Sequence, residues 1–352
     1  MASQWERLKW LPSDRDARFL VDGFNFATPA CATYFLTHFH SDHYTGLTRS
    51  FCYGTVYASE VTARLLVHDF GLPERCVRAL PMGQAVRVEG CEVTLLDANH
   101  CPGAAMLLVR VVADAAGRPL PPPHATILHT GDMRWADWMA SQIPRGVRVG
   151  TLYLDTTYAQ PRYTFPPQGE VVGALAGWVA RALAVEPATL LVVGAYHIGK
   201  ERLFLGLARA LRLRVWCSGA KRRVLALLAL APEDEAVLTD DPGAAQIHVV
   251  AMGLRPAALE ARYLLPAPGA PAAAPGAPAL GQEPSGARAS PDNMVEADPM
   301  APGPVQPPAA SPAGNEEEGG EAGQEDSAGG SVVEVVELCE GEGEGEQSLA
   351  AA

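Results

Sequence analysis

Five short apolar runs in the first 157 residues each end in Asp or His within a few positions, and this pattern limits the fold more than any other feature of the chain. Asp22 follows "FLV", His38 and His40 follow "YFLT", His100 follows "VTLLDAN", Asp132 follows "ATILHTG" and Asp155 follows "TLYL". These runs, with "TVYAS" and "AMLLVRVV" between them, are too short for helices and rich in β-branched and aromatic residues, so they read as strands. Loops leaving one edge of a sheet converge in space. The five ionisable ends therefore predict a sheet structure with one polar site along an edge.

After Pro166 the rhythm changes. Val171, Leu175, Trp178, Val179 and Leu183 fall at helical spacing, and then come a buried strand "TLLVV", a helix from about Glu201 to Leu213, a strand "RVWCS", a helical stretch to Leu230 and a strand "QIHVVAM". Helix alternating with strand implies a small three-layer α/β module. From Pro266 the text is "PAPGAPAAAPGAPALG" and later "NEEEGGEAGQEDSAGG", too poor in apolar surface to offset its ordering entropy, so residues 266–352 are expected to be disordered. "SVVEVVELCE" stands out there as a candidate partner-binding element. From Gln282 onward there are 16 acidic residues against one basic, Arg288, so the formal charge of -13 belongs to the tail and the rest is near neutral. A nucleic-acid partner is therefore not excluded by charge.

The seven cysteines show neither CxxC spacing nor the density of a secreted disulfide scaffold, which favours a reducing compartment. The N-terminus lacks an apolar signal core, and no run of about 18 apolar residues occurs. These features predict a soluble intracellular protein without a membrane partner.

"FLTHFHSDHYTGL" concentrates the chemistry, with three histidines and an aspartate between His38 and His43. His38 and His40 stand two apart in an extended segment, which points both rings to one side. Asp42 and His43, past the turn at Ser41, are expected to face them from the start of a following helix. Neutral imidazoles with carboxylates suit zinc, or manganese and iron, in a hydrolytic site. A histidine standing alone is ordinarily a hydrogen-bonded core or surface residue, and His68, His124, His129 and His248 are read so, with His197 set apart by its neighbours.

"FLTHFHSDHYTGL", "LLDANHCPGAAM", "HTGDMRW" and "YLDTTYAQPRYTFPPQ" resemble the successive motifs of metallo-β-lactamase-fold nucleases with a β-CASP insertion. More narrowly, they are similar to the DNA interstrand cross-link repair exonucleases of the Artemis and Apollo kind, over about Phe19 to Met252. The resemblance implies an α/β chain of αββα sandwich type: residues 1–157 as the N-terminal part of the metallo-β-lactamase domain, 158–265 as a partial β-CASP domain, and 266–352 as tail. It implies that His38, His40, His100 and Asp132 hold a first metal and that Asp42 and His43 contribute to a second bridged by Asp132. Asp22 would brace the histidine loop from behind, and Asp155 would orient a ligand or a catalytic water. The catalytic group is thus Asp42, His43, Asp132 and Asp155, and the cofactor is one or two Zn2+, with Mn2+ or Mg2+ as alternatives.

The chemistry implied is 5′-to-3′ exonucleolytic hydrolysis of DNA carrying a 5′-phosphate, by a metal-held hydroxide, in a nuclear, monomeric repair enzyme. "VVGAYHIGKERLF" sets Gly199 and Lys200 between a strand and a helix, where N–H groups and a lysine can bind an anion. With Lys221 and Arg222 of "AKRR" this segment is expected to bind the phosphate backbone or the 5′ end, while the tail is expected to contact repair proteins.

The family's chain returns to the first domain after the insertion and supplies a last metal-ligating histidine in an "S-x-H-S"-like motif. Here the chain passes from "QIHVVAM" into the Pro/Ala linker, and its last histidine, His248, sits in an apolar strand. The fold is therefore expected to be C-terminally incomplete and the second metal site weak. Alternatives follow: a catalytically impaired paralogue or isoform that binds DNA ends, a β-CASP ribonuclease, or a small-molecule hydrolase.

Overall fold

The computed structural model of the chain describes residues 4–11, 18–114, 116–122, 124–252, 263 and 334–338. The described chain opens with α1 (Gln4–Lys9), β1 (Trp10–Leu11), β2 (Phe19–Val21), β3 (Thr33–Phe35), β4 (Thr55–Ser59), α2 (Glu60–Leu65) and β5 (Val77–Leu80). Then come β6 (Ala85–Val88), β7 (Cys91–Asp97), β8 (Ala105–Val111), β9 (Thr126–His129) and β10 (Thr151–Asp155). The remaining elements are α3 (Gln168–Val185), β11 (Leu191–Ala195), α4 (Glu201–Leu211), β12 (Val215–Cys217), α5 (Gly219–Leu227), α6 (Pro232–Glu235), β13 (Ile247–Ala251) and β14 (Glu334–Leu338). The architecture is mixed α/β, with three sheets in the strand orders β1-β2-β3-β4-β5, β14-β10-β9-β8-β7-β6 and β11-β13-β12.

Period-two alternation explains the layering. In β7, β8 and β9, Val93, Leu95, Leu107, Val109 and Ile127 point to one face and join Phe19, Val21, Phe35 and Leu80 of the first sheet in one buried cluster. Leu96, Met106, Leu108 and Leu128 point to the other face and pack with Met139, from the 3-10 segment Asp137–Gln142, in a second cluster. The first sheet alternates likewise: its outward residues Leu20, Tyr34 and Val56 enter a third cluster with Phe204, Val215 and Ile247. Each fully buried Leu, Val or Phe contributes about 1.5–3 kcal/mol. The shared third cluster therefore ties the last helices and strands to the outer face of the first sheet.

The seven strand runs expected up to residue 157 appear as β2, β3, β4, β7, β8, β9 and β10. Strands β5 and β6 were not foreseen, because "VRAL" and "AVRV" carry arginines and expose half of their side chains. The expected helix to Leu213 ends at Leu211, where Arg212 turns left-handed with φ 56°. Past Pro266, where disorder was expected, residues 334–338 form β14, paired in parallel with β10; the rest of 266–352 lies outside the described residues. The six described cysteines are free thiols. Among the described residues no helix is long and apolar enough to cross a membrane.

Two glycines separate steric need from tolerance. A Cβ on Gly54 would stand 2.1 Å from the Ala32 carbonyl oxygen, whereas one on Gly173, inside α3, would meet nothing within 4 Å. In urea titrations, Gly54→Ala is expected to lose about 1–3 kcal/mol or more through forced backbone shifts. Gly173→Ala is expected to gain about 0.5–1 kcal/mol from helix propensity.

Candidate metal centre

Strands β2 and β3 run parallel, so Asp22 and the His38–His43 segment leave the first sheet at the same edge. Strands β7 and β9 are each antiparallel to β8, and β10 is parallel to β9, so the loops carrying His100, Asp132 and Asp155 also leave their sheet on one edge. One donor atom each from His38, His40, His100 and Asp132 lie within 4.8 Å of one another. His38 Nε2 is 3.0 Å from His40 Nδ1, which is 3.2 Å from His100 Nε2. Asp132 Oδ2 stands 3.7 Å from both His38 Nε2 and His100 Nε2.

A second group, Asp42, His43 and Asp132, meets the same criterion. His43 Nε2 faces Asp132 Oδ1 at 3.2 Å and Asp42 Oδ2 at 3.5 Å. The two oxygens of Asp132 thus point at different groups, the arrangement a bridging carboxylate requires. Among the described residues the second group numbers three donors against four in the first. Asp42 and His43 stand in a turn following Ser41 rather than on the expected helix; the turn is what swings His43 back beneath His38, with ring centroids 3.9 Å apart.

Hydrogen bonds behind the rings assign their tautomers. Asp22 Oδ2 accepts from His43 Nδ1 at 2.8 Å and from the Thr37 hydroxyl at 2.6 Å, and Oδ1 accepts the Thr37 backbone N–H at 2.8 Å. The Thr37 hydroxyl, having donated to Asp22, accepts from His38 Nδ1 at 3.1 Å. His40 Nε2 donates to the Ile198 carbonyl at 3.1 Å. Each proton is held on the outer nitrogen, so the lone pairs of His38 Nε2, His43 Nε2 and His40 Nδ1 face inward. Unprotonated nitrogens about 3 Å apart, with a carboxylate beside them, repel unless a cation lies between them, so this donor set could hold a metal ion.

Burial pushes the His38 imidazole well below its ordinary 6.5, and the charges of His43, His40 and His100 act in the same direction. His100 is lowered too, chiefly by burial, with Asp132 opposing. For Asp22 burial acts upward, but the His43 charge and hydrogen bond, with Lys9 and His129, hold the carboxyl below its ordinary 3.8. The brace is therefore ionised, and the His38 and His100 rings are held toward the neutral form that metal binding needs.

The other expected residues divide. Both carboxylate oxygens of Asp155 accept backbone N–H groups, from Met133 at 3.0 Å and Thr157 at 2.9 Å, so Asp155 pins the loop that carries Asp132. Gly199 lies beside the site, its would-be Cβ 3.8 Å from His40 Nε2, but its N–H donates to Glu201 at 2.8 Å. Lys200 Nζ sits 5.6 Å from the Tyr196 ring centroid. Lys221, expected to face phosphate, is largely buried and donates to Glu201 at 2.7 Å. Arg222 reaches Glu235 at 3.2 Å and Asp240 at 3.8 Å. His197 pairs with Asp69 at 2.7 Å, outside both donor groups.

Several site residues escaped the sequence reading. Thr37 left a signal, its place directly before His38. Ser59, which caps α2, and Thr62 hold the His100 loop by donating to the Gly103 carbonyl at 2.6 and 3.2 Å, and Gln142 clamps the Asp97 backbone at 2.7 and 3.0 Å; these contacts span tens of residues. Gly131 follows the same steric logic, for its φ is 53° and a Cβ there would lie 2.9 Å from Thr37 Cβ.

A pH dependence follows from the shifts. His38 and His100 have lowered folded-state pKa values, so the stability they contribute is fully present above the unfolded 6.5 and is lost as pH falls toward the folded values. Metal-free protein should show a lower urea midpoint at pH 5.5 than at pH 7.5, with a smaller difference in a His38→Asn variant. Equal midpoints at the two pH values would contradict the burial of these rings.

No protein-family model matches the chain. Among curated proteins, the DNA cross-link repair 1A protein of Mus musculus is 41% identical over 235 residues, 66% of this chain and 22% of that protein. The DNA cross-link repair protein SNM1 of Arabidopsis thaliana is 38% identical over 209 residues, 59% of this chain and 41% of that protein. The 5′ exonuclease Apollo of Gallus gallus is 38% identical over 219 residues, 62% of this chain and 44% of that protein. The chain thus spans less than half the length of these relatives. Over the matched two thirds of its residues, it belongs to the family of the DNA cross-link repair proteins.

Proposed function

We propose that this chain is a metal-dependent 5′-to-3′ DNA exonuclease acting on 5′-phosphorylated ends in interstrand cross-link repair in the nucleus. In this reading residues 1–157 are part of a metallo-β-lactamase domain and 158–265 a β-CASP insertion. One observation carries it: His38, His40, His100 and Asp132, from loops far apart in sequence, aim four donor atoms at one point. The names of the relatives supply the substrate class, since one is called a 5′ exonuclease and others DNA cross-link repair proteins.

A divalent cation bound there supplies Lewis acidity toward a phosphoryl oxygen and a water acidic enough to attack phosphorus near neutral pH. The protein supplies position. Asp22 and Thr37 hold His38 and His43 in their ligating tautomers, and Asp155 holds the Asp132 loop. Asp42 is 63% exposed at the side chain, open to solvent beside His43, and is suited to accept the proton of the attacking water. Lys200, next to Gly199 at the edge of the site, is the candidate contact for a substrate phosphate; Lys221 and Arg222, already paired with carboxylates, are not.

The test is digestion of 5′-phosphorylated single-stranded DNA and RNA of the same sequence with added zinc or manganese, beside a His40→Ala variant. DNA cleavage that falls on the order of 100-fold or more in the variant is expected. Equal cleavage by both proteins, or none by either, ends the enzyme reading; none by either, with DNA ends still bound, leaves a binding protein, a reading that the three-donor second group favours. Cleavage confined to RNA would change the substrate to RNA.

A further inference from the structure

We propose that the largely buried Glu201–Lys221 ion pair is a positioning device for the metal centre: it fixes the loop between β11 and α4 so that the Ile198 carbonyl holds the proton of His40 on Nε2 and commits His40 to bind metal through Nδ1. This rests on the metal-site reading above. Three observations converge on it.

First, the loop backbone needs holding. Gly199 has φ 120° and Lys200 has φ 64°, two successive left-handed residues of which one carries a side chain. Such a backbone persists only where surrounding contacts over-determine it.

Second, the pair grips the loop on both sides of Ile198. Lys221 Nζ donates to the carbonyls of Tyr196 at 3.0 Å and His197 at 2.8 Å, and to Glu201 Oε1 at 2.7 Å. The Glu201 carboxylate accepts the Gly199 N–H with both oxygens, at 3.0 and 2.8 Å. Residues 196, 197 and 199 are thereby fixed. The carbonyl between them, that of Ile198, is turned away from the pair and meets His40 Nε2 at 3.1 Å.

Third, the pair is largely withdrawn from solvent, with side chains 10% and 4% exposed for Lys221 and Glu201. A buried ion pair is a weak source of net stability, because desolvation opposes its attraction, and its best-attested use is to specify geometry. The second nitrogen of a ligating histidine normally needs such a partner, and loss of that partner typically weakens metal binding about 10- to 100-fold.

The experiment compares wild type with Glu201→Gln, Lys221→Met, the double variant and Lys221→Arg. Zinc affinity is read by competition with a fluorescent chelator. The His40 tautomer is read in metal-free protein from its ring 15N shifts. Both single variants and the double variant should bind zinc about 10- to 100-fold more weakly and lose the pure Nε2–H signature, while Lys221→Arg stays near wild type. If a single variant does not fold, the double variant, which leaves no unpaired charge buried, still decides. A folded double variant with wild-type zinc affinity and an unchanged His40 ring pattern overturns the proposal. If wild type itself binds no zinc, the metal reading falls, and the ring 15N pattern alone then decides whether the pair positions His40.

Discussion

The buried carboxylate of Asp22 is the constraint on which the site depends. It stands directly after β2 with φ 47°, its own N–H donating to the Phe35 carbonyl at 3.0 Å, so it is tied to the neighbouring strand β3 at the point where the histidine loop begins. From there it holds His43 directly and His38 through the Thr37 hydroxyl. An ionised carboxylate in a dry interior is costly unless its lone pairs are filled. Here three donors fill them, and those donors are the groups whose orientation matters. Sheet pairing thereby sets the tautomers of two rings.

The opposite wall comes from the last third of the described chain. The same cluster of buried side chains that contains Leu20, Tyr34 and Val56 also contains Ile198, Phe204 and Ile247. Packing of that segment against the first sheet brings the Ile198 carbonyl to His40. The centre is therefore assembled from strand-end loops braced by Asp22 on one side and from a strained loop gripped by an ion pair on the other. Neither wall alone orients all the donors.

Much of this was legible in the sequence because period-two strands and short polar loops leave local marks. The strand runs ending at Asp22, His38, His100, Asp132 and Asp155 were readable, and so was the grouping of four of the donors. The rest depended on contacts between distant residues. "AKRR" looks like a phosphate clamp because charge is visible in sequence and a partner is not; only the fold reveals that Lys221 is matched by Glu201, 20 positions earlier. Asp155 was likewise recognised as part of the site, but its two hydrogen bonds to backbone N–H groups depend on how the loops after β9 and β10 cross. The turn at Ser41 was legible, but Asp42 and His43 were placed on a following helix, whereas they continue the turn.

The central claim is that His38, His40, His100 and Asp132 form one metal site, with His40 bound through Nδ1 and the other two histidines through Nε2. Crystals grown with zinc and measured at the zinc absorption edge would test it most directly. An anomalous peak is expected about 2.0–2.1 Å from those three nitrogens and in bonding range of Asp132 Oδ2. Density lacking such a peak at saturating zinc, or a peak held by other residues, would contradict it.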